Sequence, residues 1–249
     1  MPTVSVLQLH PIKALDPVFV SAALVLPSSA LEFDRRWALA DSQGGLVSGK
    51  RHPHVHGVRA TFDLARHEVN LEGQVYSLMR QGREIAIWFS DRFGERLEWR
   101  ENPDTGFPDD VDSPGPTVVS TASLDAVAEW FDVALEQTRR RFRTNIEVEG
   151  VEAFWEDGLY GSSVQVGSVE LYAVNPCQRC VVPSRDPMTG VDIPGFQRRF
   201  ADQRRITLPA WARRAPFNHF YRFAVNTRVL RAGAERIIRV GDTVRAGGL

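Results

Sequence analysis

The sequence Asn175-Pro176-Cys177-Gln178-Arg179-Cys180 contains the only two cysteines of this 249-residue chain, and it follows a predicted β-strand over residues 164–174. An arginine between two thiols favours ionised sulfur, because a nearby guanidinium stabilises a thiolate. The stretch therefore predicts a metal ligand or a nucleophile at the end of this strand. Two reduced cysteines without a chemical role are the alternative, and the spacing alone does not decide between them.

Other sites built on paired cysteines fit this stretch poorly. A structural zinc site needs four ligands, and no second cysteine pair is present. A thioredoxin-type pair begins a helix, whereas Pro183 and Pro187 follow too closely for a long helix. Covalent haem attachment needs His directly after the second cysteine, and Val181 occupies that position.

Length and composition are typical of a globular protein with one large domain or two small ones. Hydrophobic residues make up 43%, charged residues 24%, and the formal net charge is −1, so neither nucleic acid nor membrane is an expected partner. The first residues lack the basic and apolar parts of a secretory signal, and no segment has the ~20 apolar residues of a membrane span. With two closely spaced cysteines, we expect a reducing, cytoplasmic location.

Many short apolar segments separated by turns predict a mainly β protein of the barrel or sandwich type. One helix is expected to begin at Ser123 and to end in Arg139-Arg140-Arg141, and a second over residues 196–205. The Pro- and Asp-rich loop 102–116 predicts a boundary between an N-terminal β module (1–112) and a second domain (113–249). The expected strands are 4–9, 22–26, 36–40, 58–62, 68–71, 74–79, 84–89, 95–100, 146–149, 164–174, 217–225 and 236–244.

The 30 basic side chains include only two lysines, Lys13 and Lys50. In so arginine-rich a chain, a retained lysine indicates a need for a compact ammonium group, and we expect a functional role for Lys13. His52, His54 and His56 recur at every second residue, so an extended segment would place them on one face. Such a face could hold zinc or manganese, and a solvated loop is the alternative.

Six motifs that span nearly the whole chain resemble the MOSC superfamily. They are most similar to the subgroup that contains the mitochondrial amidoxime-reducing component and its bacterial relatives. Each motif is short, but their order and spacing together are specific to that group. The motifs are His10-Pro11-Ile12-Lys13, Asp34-Arg35-Arg36-Trp37, Arg143-Thr144-Asn145-Ile146, Phe154-Trp155-Glu156-Asp157, Cys177-Gln178-Arg179-Cys180 with Asp186-Pro187-Met188-Thr189-Gly190, and Val240-Gly241-Asp242.

The resemblance implies an N-terminal β module followed by a MOSC β-barrel, with a pterin-dithiolene molybdenum cofactor between them. It places the metal ligand and catalytic residue at Cys180, and makes Cys177 a structural neighbour. A thiolate is a soft, strongly donating ligand that suits such a metal. Ammonium, guanidinium and amide groups suit the phosphate and pterin oxygens. The implied cofactor contacts are Lys13, Arg35, Arg143, Asn145 and Arg179.

The resemblance also implies an oxidoreductase that reduces the N–O bond of N-hydroxylated small molecules. The expected cofactor is the molybdenum cofactor, without pyridoxal phosphate and without an iron–sulfur cluster, for which no cysteines remain. Electrons would then come from a separate ferredoxin-, flavin- or cytochrome-type reductase. Two alternatives stay open: a non-enzymatic carrier of molybdenum cofactor or of sulfur on Cys180, and a β-barrel binding module with structural thiols.

Overall fold

The computed structural model describes residues 1–247 and, within that range, contains fifteen strands and four α-helices, which confirms the mainly β prediction. The helices are α1 Gly82–Phe93, α2 Thr121–Phe131, α3 Leu135–Phe142 and α4 Phe196–Thr207. The strands are β1 Thr3–Leu9, β2 Val18–Phe19, β3 Ala22–Leu24, β4 Trp37–Asp41, β5 Ala60–Asp63, β6 Glu68–Leu71, β7 Gln74–Ser77, β8 Leu97–Glu101, β9 Val118–Ser120, β10 Ile146–Glu149, β11 Ser163–Val166, β12 Val169–Gln178, β13 Arg222–Ala232, β14 Ile237–Arg239 and β15 Val244–Ala246.

One eight-stranded sheet organises the molecule, in the order β15-β11-β12-β13-β9-β10-β1-β2. Its longest pairing is the antiparallel ladder between β12 and β13, and β9 and β10 are parallel. Apolar side chains at alternate positions, such as Val164 and Val166 on β11 and Leu171 and Ala173 on β12, are fully buried against one another. This alternation is the period-two pattern of a half-buried strand. Cys177 lies one residue before the end of β12.

A second core lies in the N-terminal half, where β4 pairs with β8 and β5, β6 and β7 form a three-stranded sheet. Trp37, Leu71 and Phe89 are completely buried there. Two early strands lie outside this second core. Strand β1 belongs to the eight-stranded sheet, where it pairs with β10, and β3 pairs with β14. The division of the chain at residue 112 stays a prediction.

The strand predicted over 84–89 is wrong, since this segment lies in α1. Ile85, Ala86 and Phe89 are buried while Ile87 is half exposed, which is the i, i+1, i+4 spacing of one helix face. Gly94 ends the helix at φ 69°, and its N–H donates to the Ser90 carbonyl. Packing of that face on the second core outweighs the strand preference of its β-branched and aromatic residues.

The single helix predicted from Ser123 to Arg141 is two helices. The N-cap of α2 is Ser120, whose hydroxyl accepts from the Ser123 N–H at 3.0 Å. Asp132 adopts a left-handed conformation at φ 52° and ends the helix, and α3 begins after Ala134. The predicted helix over 196–205 is confirmed as α4.

Three other predicted strands are divided in the structure or begin well inside the predicted range, while the remaining ones differ by a few residues at their ends. The strand over 164–174 is divided at Gly167, with φ 54°, into β11 and β12. The strand over 217–225 begins only at Arg222, as part of β13. The strand over 236–244 is two short strands, β14 and β15, on either side of a turn at Gly241.

A short 3₁₀-helix, Trp155–Gly158, carries two adjacent buried carboxyl groups. Glu156 accepts from the Ser120 N–H at 3.3 Å and from the Ser123 hydroxyl at 3.0 Å. Asp157 accepts from Arg204 on α4 at 2.6 Å. The pair therefore joins the beginning of α2 to the last turn of α4. Burial, and then the negative charge of Asp157, raise the pKa of Glu156 to about 7.

Glutamine in place of Glu156 is expected to remove a pH-dependent loss of stability. The folded-state pKa of Glu156 lies above its ordinary value of 4.5, so its contribution to stability is complete below pH 4.5 and disappears as the pH rises through 7. Between pH 5 and pH 8 the wild type should therefore lose roughly 2 kcal/mol relative to the variant. Urea unfolding of both proteins at each pH measures this difference, and parallel pH profiles would contradict it.

Candidate functional site

A cavity of about 960 Å³ lies where the N-terminal segment, the loop 102–116 and the turn that carries Cys180 meet. Seven basic and three acidic side chains line it, so it attracts anions. The basic residues are Lys13, Arg35, Lys50, Arg141, Arg143, Arg179 and Arg222, and the acidic ones are Asp34, Asp109 and Asp110. Five of the six site residues predicted from sequence line this cavity: Lys13, Arg35, Arg143, Arg179 and Cys180.

Lys13 is held at one wall by its side chain and by its backbone. Its Nζ donates to the Phe107 carbonyl at 2.8 Å and to the Asp109 carboxylate at 2.5 Å, and both acceptors belong to the loop 102–116. Burial lowers the pKa of Lys13 although the nearby Asp109 raises it. Its N–H donates to the Trp37 carbonyl at 2.8 Å, which fixes the turn after β1 against the start of β4.

Arg35 is oriented by a buried chain of polar contacts. Its guanidinium pairs with Asp34, whose other oxygen accepts from the His10 N–H at 2.8 Å. Although burial alone would raise it, Arg35 and His10 hold the pKa of Asp34 below its usual range. Burial and the charge of Arg143 lower the pKa of His10 to about 3, so this imidazole is neutral. The motif His10-Pro11-Ile12-Lys13 thus supports Arg35 as well as supplying Lys13.

Arg143 completes a cluster of positive charge with Lys13 and Arg35. Its Nη1 donates to the Leu15 carbonyl at 2.7 Å, while its buried Nη2 has no hydrogen-bond partner within the described residues. Burial, and then the charge of Arg35, lower the pKa of Arg143 to about 10. A buried cation with a free donor, beside two more cations, is suited to an anionic ligand such as a phosphate.

Three residues of this wall have left-handed backbone conformations that cost free energy for any residue other than glycine. The φ angles are 74° at Ala14, 50° at Arg35 and 52° at Arg143. Such conformations persist where the surrounding contacts determine them, and they concentrate at functional sites. The wall is therefore shaped by the fold before any ligand binds.

Cys180 lines the same cavity from the turn that follows β12. Its thiol is exposed, and its Sγ accepts from the Val182 N–H at 3.5 Å. Cys177 is half buried and also lines the cavity, but its thiol is directed to the neighbouring Gln178 carbonyl at 3.8 Å. Cys180 is thus the better placed of the two to bind a metal.

Arg179 holds this turn in place. Its Nε and Nη2 donate to the Phe223 carbonyl at 3.0 and 2.7 Å, and its Nη1 donates to the Phe142 carbonyl at 3.1 Å. The guanidinium also lies over the Phe142 ring, 5.5 Å from its centre. These contacts join the Cys180 turn to β13 and to the end of α3.

Asn145 is buried behind the cavity and does not line it. Its Oδ1 accepts from the N–H and the hydroxyl of Thr117, each at 3.1 Å, and its Nδ2 donates to the Gln8 carbonyl at 3.2 Å. Thr117 does line the cavity. Any effect of Asn145 on a ligand would therefore pass through the position of Thr117.

Sequence reasoning missed two groups that shape the cavity. Arg141 is buried and donates to the carbonyls of Pro183, at 3.1 Å, and Arg185, at 2.5 Å, so it anchors the segment after Cys180. Arg141 lies two residues before the motif that begins at Arg143, and the sequence assigned it only to the end of a predicted helix. The second group consists of Asp110, Asn175 and Asn226, whose side chains are joined by hydrogen bonds of 3.0–3.3 Å.

The three histidines at every second residue are not on one extended face. They lie in and next to a 3₁₀-helix, Pro53–Gly57. His52 contacts Glu95 at 3.1 Å, His54 packs on the Phe93 ring, and only His56 reaches the cavity. Within residues 1–247, no group of three or more His, Cys, Asp or Glu side chains is arranged to hold a metal ion.

The geometry defines a class of protein: a β fold whose basic cavity suits an anionic molecule beside an exposed cysteine. The chain belongs to the MOSC domain family, since residues 116–245 match the MOSC domain. Residues 1–77 match the MOSC N-terminal beta barrel domain.

Relatives of two kinds are similar to this chain. It is 28% identical over 237 residues to mitochondrial amidoxime reducing component 2 of Bos taurus, which covers 76% of this chain and 68% of the relative. It is 29% identical over 234 residues to mitochondrial amidoxime-reducing component 1 of Danio rerio, with 76% and 70% covered. Molybdenum cofactor sulfurase of Caenorhabditis briggsae is 30% identical over 103 residues, which are 40% of this chain and 14% of the relative.

A solved structure, the YUAD protein from Bacillus subtilis, aligns over 98% of this chain and 94% of its own at 14% identity. Its TM-score of 0.41 is too low to add to the family assignment. In residues 1–247 no helix has the length and apolar character needed to cross a membrane.

Proposed function

We propose that this protein is a molybdenum-cofactor-dependent reductase of N-hydroxylated small molecules. The observation that carries the proposal is that one cavity brings the cationic cluster of Lys13, Arg35 and Arg143 to the same space as the exposed thiol of Cys180. A phosphate-bearing cofactor whose metal needs one protein thiolate fits that donor set. The names of the amidoxime-reducing relatives support the choice of reaction.

Each residue of the cavity has a separate role in this proposal. Lys13, Arg35 and Arg143 would hold the cofactor's phosphate, and the unpartnered Nη2 of Arg143 would gain an acceptor. Cys180 would be the metal ligand, and Arg179 would fix the turn that presents it. Asn145 would act indirectly, through Thr117. When bound, the molybdenum cofactor supplies a centre that accepts an oxygen atom in a two-electron step.

The overall reaction consumes an N-hydroxylated compound, two electrons and two protons, and it releases the reduced nitrogen compound and water. The electrons would come from a separate ferredoxin-, flavin- or cytochrome-type reductase. Both cysteines are free thiols in the structure, which supports the cytoplasm as the proposed compartment.

Metal analysis together with an activity assay tests the proposal. The protein is produced in a host that makes the molybdenum cofactor, and molybdenum per chain is measured by mass spectrometry. Reduction of benzamidoxime to benzamidine is followed with reduced methyl viologen as the electron donor. We expect about one molybdenum per chain and turnover that depends on protein concentration. Protein that holds molybdenum but reduces neither benzamidoxime nor simple hydroxylamines would contradict the proposal.

A non-enzymatic carrier of molybdenum cofactor, or of sulfur on Cys180, is the second candidate. The exposed thiol at an open cavity and the match to molybdenum cofactor sulfurases favour it. Transfer of bound cofactor to a cofactor-free molybdenum enzyme, without any turnover of N-hydroxylated compounds, would support the carrier instead.

A further inference from the structure

Lys50 is the one cavity-lining cation, within the described residues, whose charged group contacts no protein acceptor. The other six each donate to at least one carbonyl or carboxylate: Lys13 to Asp109, Arg35 to Asp34, Arg141 to Pro183, Arg143 to Leu15, Arg179 to Phe223 and Arg222 to Pro176. Lys50 is exposed at the cavity, and its side chain forms no ion pair or hydrogen bond with residues 1–247. Its charge is therefore free to meet a ligand.

The loop that carries Lys50 is packed on the turn that carries Cys180. Arg185 donates to the carbonyls of Gly49 and Lys50, the second at 3.4 Å. A Cβ placed on Gly49 would lie 3.2 Å from the Val182 side chain, and the Val182 N–H donates to the Cys180 thiol. The backbone of Lys50 is thus fixed within two contacts of the proposed metal ligand.

Lys50 is separate from the proposed phosphate cluster. Within the cluster, Arg35 is tied to Arg143 by the 3.5 Å contact from its Nη2 to the Arg143 carbonyl, and the Lys13 N–H is bonded to the carbonyl of Trp37, two residues after Arg35. No contact of that kind joins Lys50 to the cluster in the described part of the chain. Because the Lys50 loop packs on the turn that carries the proposed metal ligand, we assign Lys50 to the substrate side of the cavity and the cluster to the cofactor phosphate.

His56 packs against the loop of Lys50 and carries no charge that could also attract an anion. A Cβ on Gly49 would lie 2.7 Å from His56 Nε2, so this imidazole is directly behind the loop. Burial, and then the charges of Arg143 and Arg185, lower the pKa of His56 to about 4, and the ring is neutral at pH 7. The neighbouring Arg185 guanidinium is already bonded to the Lys50 carbonyl and to Asp192, so the ammonium group of Lys50 is the charge of this loop that stays available to an anion.

We propose that Lys50 is a specificity residue that selects N-hydroxylated substrates carrying a negatively charged group. This inference rests on the proposed function and adds the chemical class of the substrate. An ammonium group at the open side of the cavity lowers the free energy of a bound carboxylate and contributes little to a neutral analogue. The effect should weaken as salt concentration rises, because the ammonium group is exposed.

A pair of substrates that differ in charge tests the inference with the loaded enzyme. The anionic probe is 4-carboxybenzamidoxime, and the neutral probe is its methyl ester. Lys50→Met should lower kcat/KM for the anionic probe about tenfold and change that of the ester less than about twofold. Lys50→Arg should keep most of the preference, since it keeps the charge. The matched control is Arg51→Met, because Arg51 pairs with Asp41 at 2.5 Å and does not line the cavity.

Four results would overturn the inference. Equal losses for both probes, or no loss for either, would show that Lys50 does not recognise substrate charge. Less molybdenum in Lys50→Met than in the wild type would instead make Lys50 a cofactor contact. If the wild type reduces neither probe, the proposed function fails, and calorimetric binding of 4-carboxybenzamidoxime decides about Lys50. Binding weakened in Lys50→Met alone would support the anion site, and equal binding in all variants would overturn it.

Discussion

Alanine in place of Cys180 is expected to lower the reduction of benzamidoxime by roughly 100-fold or more, and to lower the molybdenum content of the purified protein. Changes to groups that only support a metal ligand typically cost 10–100-fold, and this substitution removes the proposed ligand itself. The fold should remain intact, because the Cys180 side chain is exposed and its thiol accepts a single long hydrogen bond, from the Val182 N–H, among the described residues. Molybdenum per chain and the viologen-linked assay are the measurements.

Cys177→Ala is the matched control for this prediction. Cys177 lies three residues away and lines the same cavity, but its thiol contacts the carbonyl of its own neighbour. We expect this variant to keep its molybdenum and most of its activity. Equal metal in Cys180→Ala and the wild type would mean that the cationic cluster alone holds the cofactor. Loss of metal in Cys177→Ala alone would move the ligand to Cys177.

Local sequence patterns predicted several of the strands in which one face is buried. Residues 68–71 of β6 alternate between half-buried and buried side chains, and a period of two is visible without any knowledge of the fold. The segment of α1 could not be assigned in the same way. Ile85, Ile87, Trp88 and Phe89 are strand-forming residues, and only the packing of Ile85 and Phe89 on the second core shows that the period is helical.

The cavity was predicted in part because its residues belong to motifs with a fixed order along the chain. Lys13 and Cys180 are 167 positions apart in the sequence, and no local pattern brings them together. The resemblance to a family supplied that step, and the structure places both at one cavity. Lys50 and Arg141 were harder to assign, because long-range contacts to the segment 183–185 fix their positions. Arg141 donates to carbonyls of that segment, and the Arg185 side chain donates to the Lys50 carbonyl. No local sequence pattern predicts contacts of this kind.

Asn145 shows a different limit of sequence reasoning. A motif identifies the residue types near a site, but it does not separate a ligand contact from a residue that holds the contact in place. The Asn145 amide forms its hydrogen bonds with Thr117 and Gln8 behind the cavity. Its direct role toward the cofactor stays a prediction, and the geometry favours an action through Thr117.

Arg204→Met is expected to reduce the free energy of unfolding by about 3–5 kcal/mol, the largest loss of stability among the substitutions considered for this chain. The Arg204 side chain is 1% exposed and that of Asp157 is 3% exposed, and their charged groups are 2.6 Å apart. Methionine retains much of the volume above the Phe154 ring, on which Arg204 lies at 4.2 Å. The substitution would therefore leave a buried carboxylate without its cation. Urea unfolding at pH 7 measures the loss.

The buried carboxylate, rather than lost packing, should account for most of this effect, and the pH dependence tests that point. Burial already raises the pKa of Asp157, and removing the positive charge of Arg204 would raise it further. The variant should then be least destabilised at low pH, where Asp157 is protonated, and should lose stability as the pH rises. Arg205→Met is the control, because Arg205 is exposed and pairs with Asp202 at the surface, where an ion pair contributes about 0–1 kcal/mol. A deficit of Arg204→Met that stayed constant from pH 5 to pH 8 would assign the loss to packing instead.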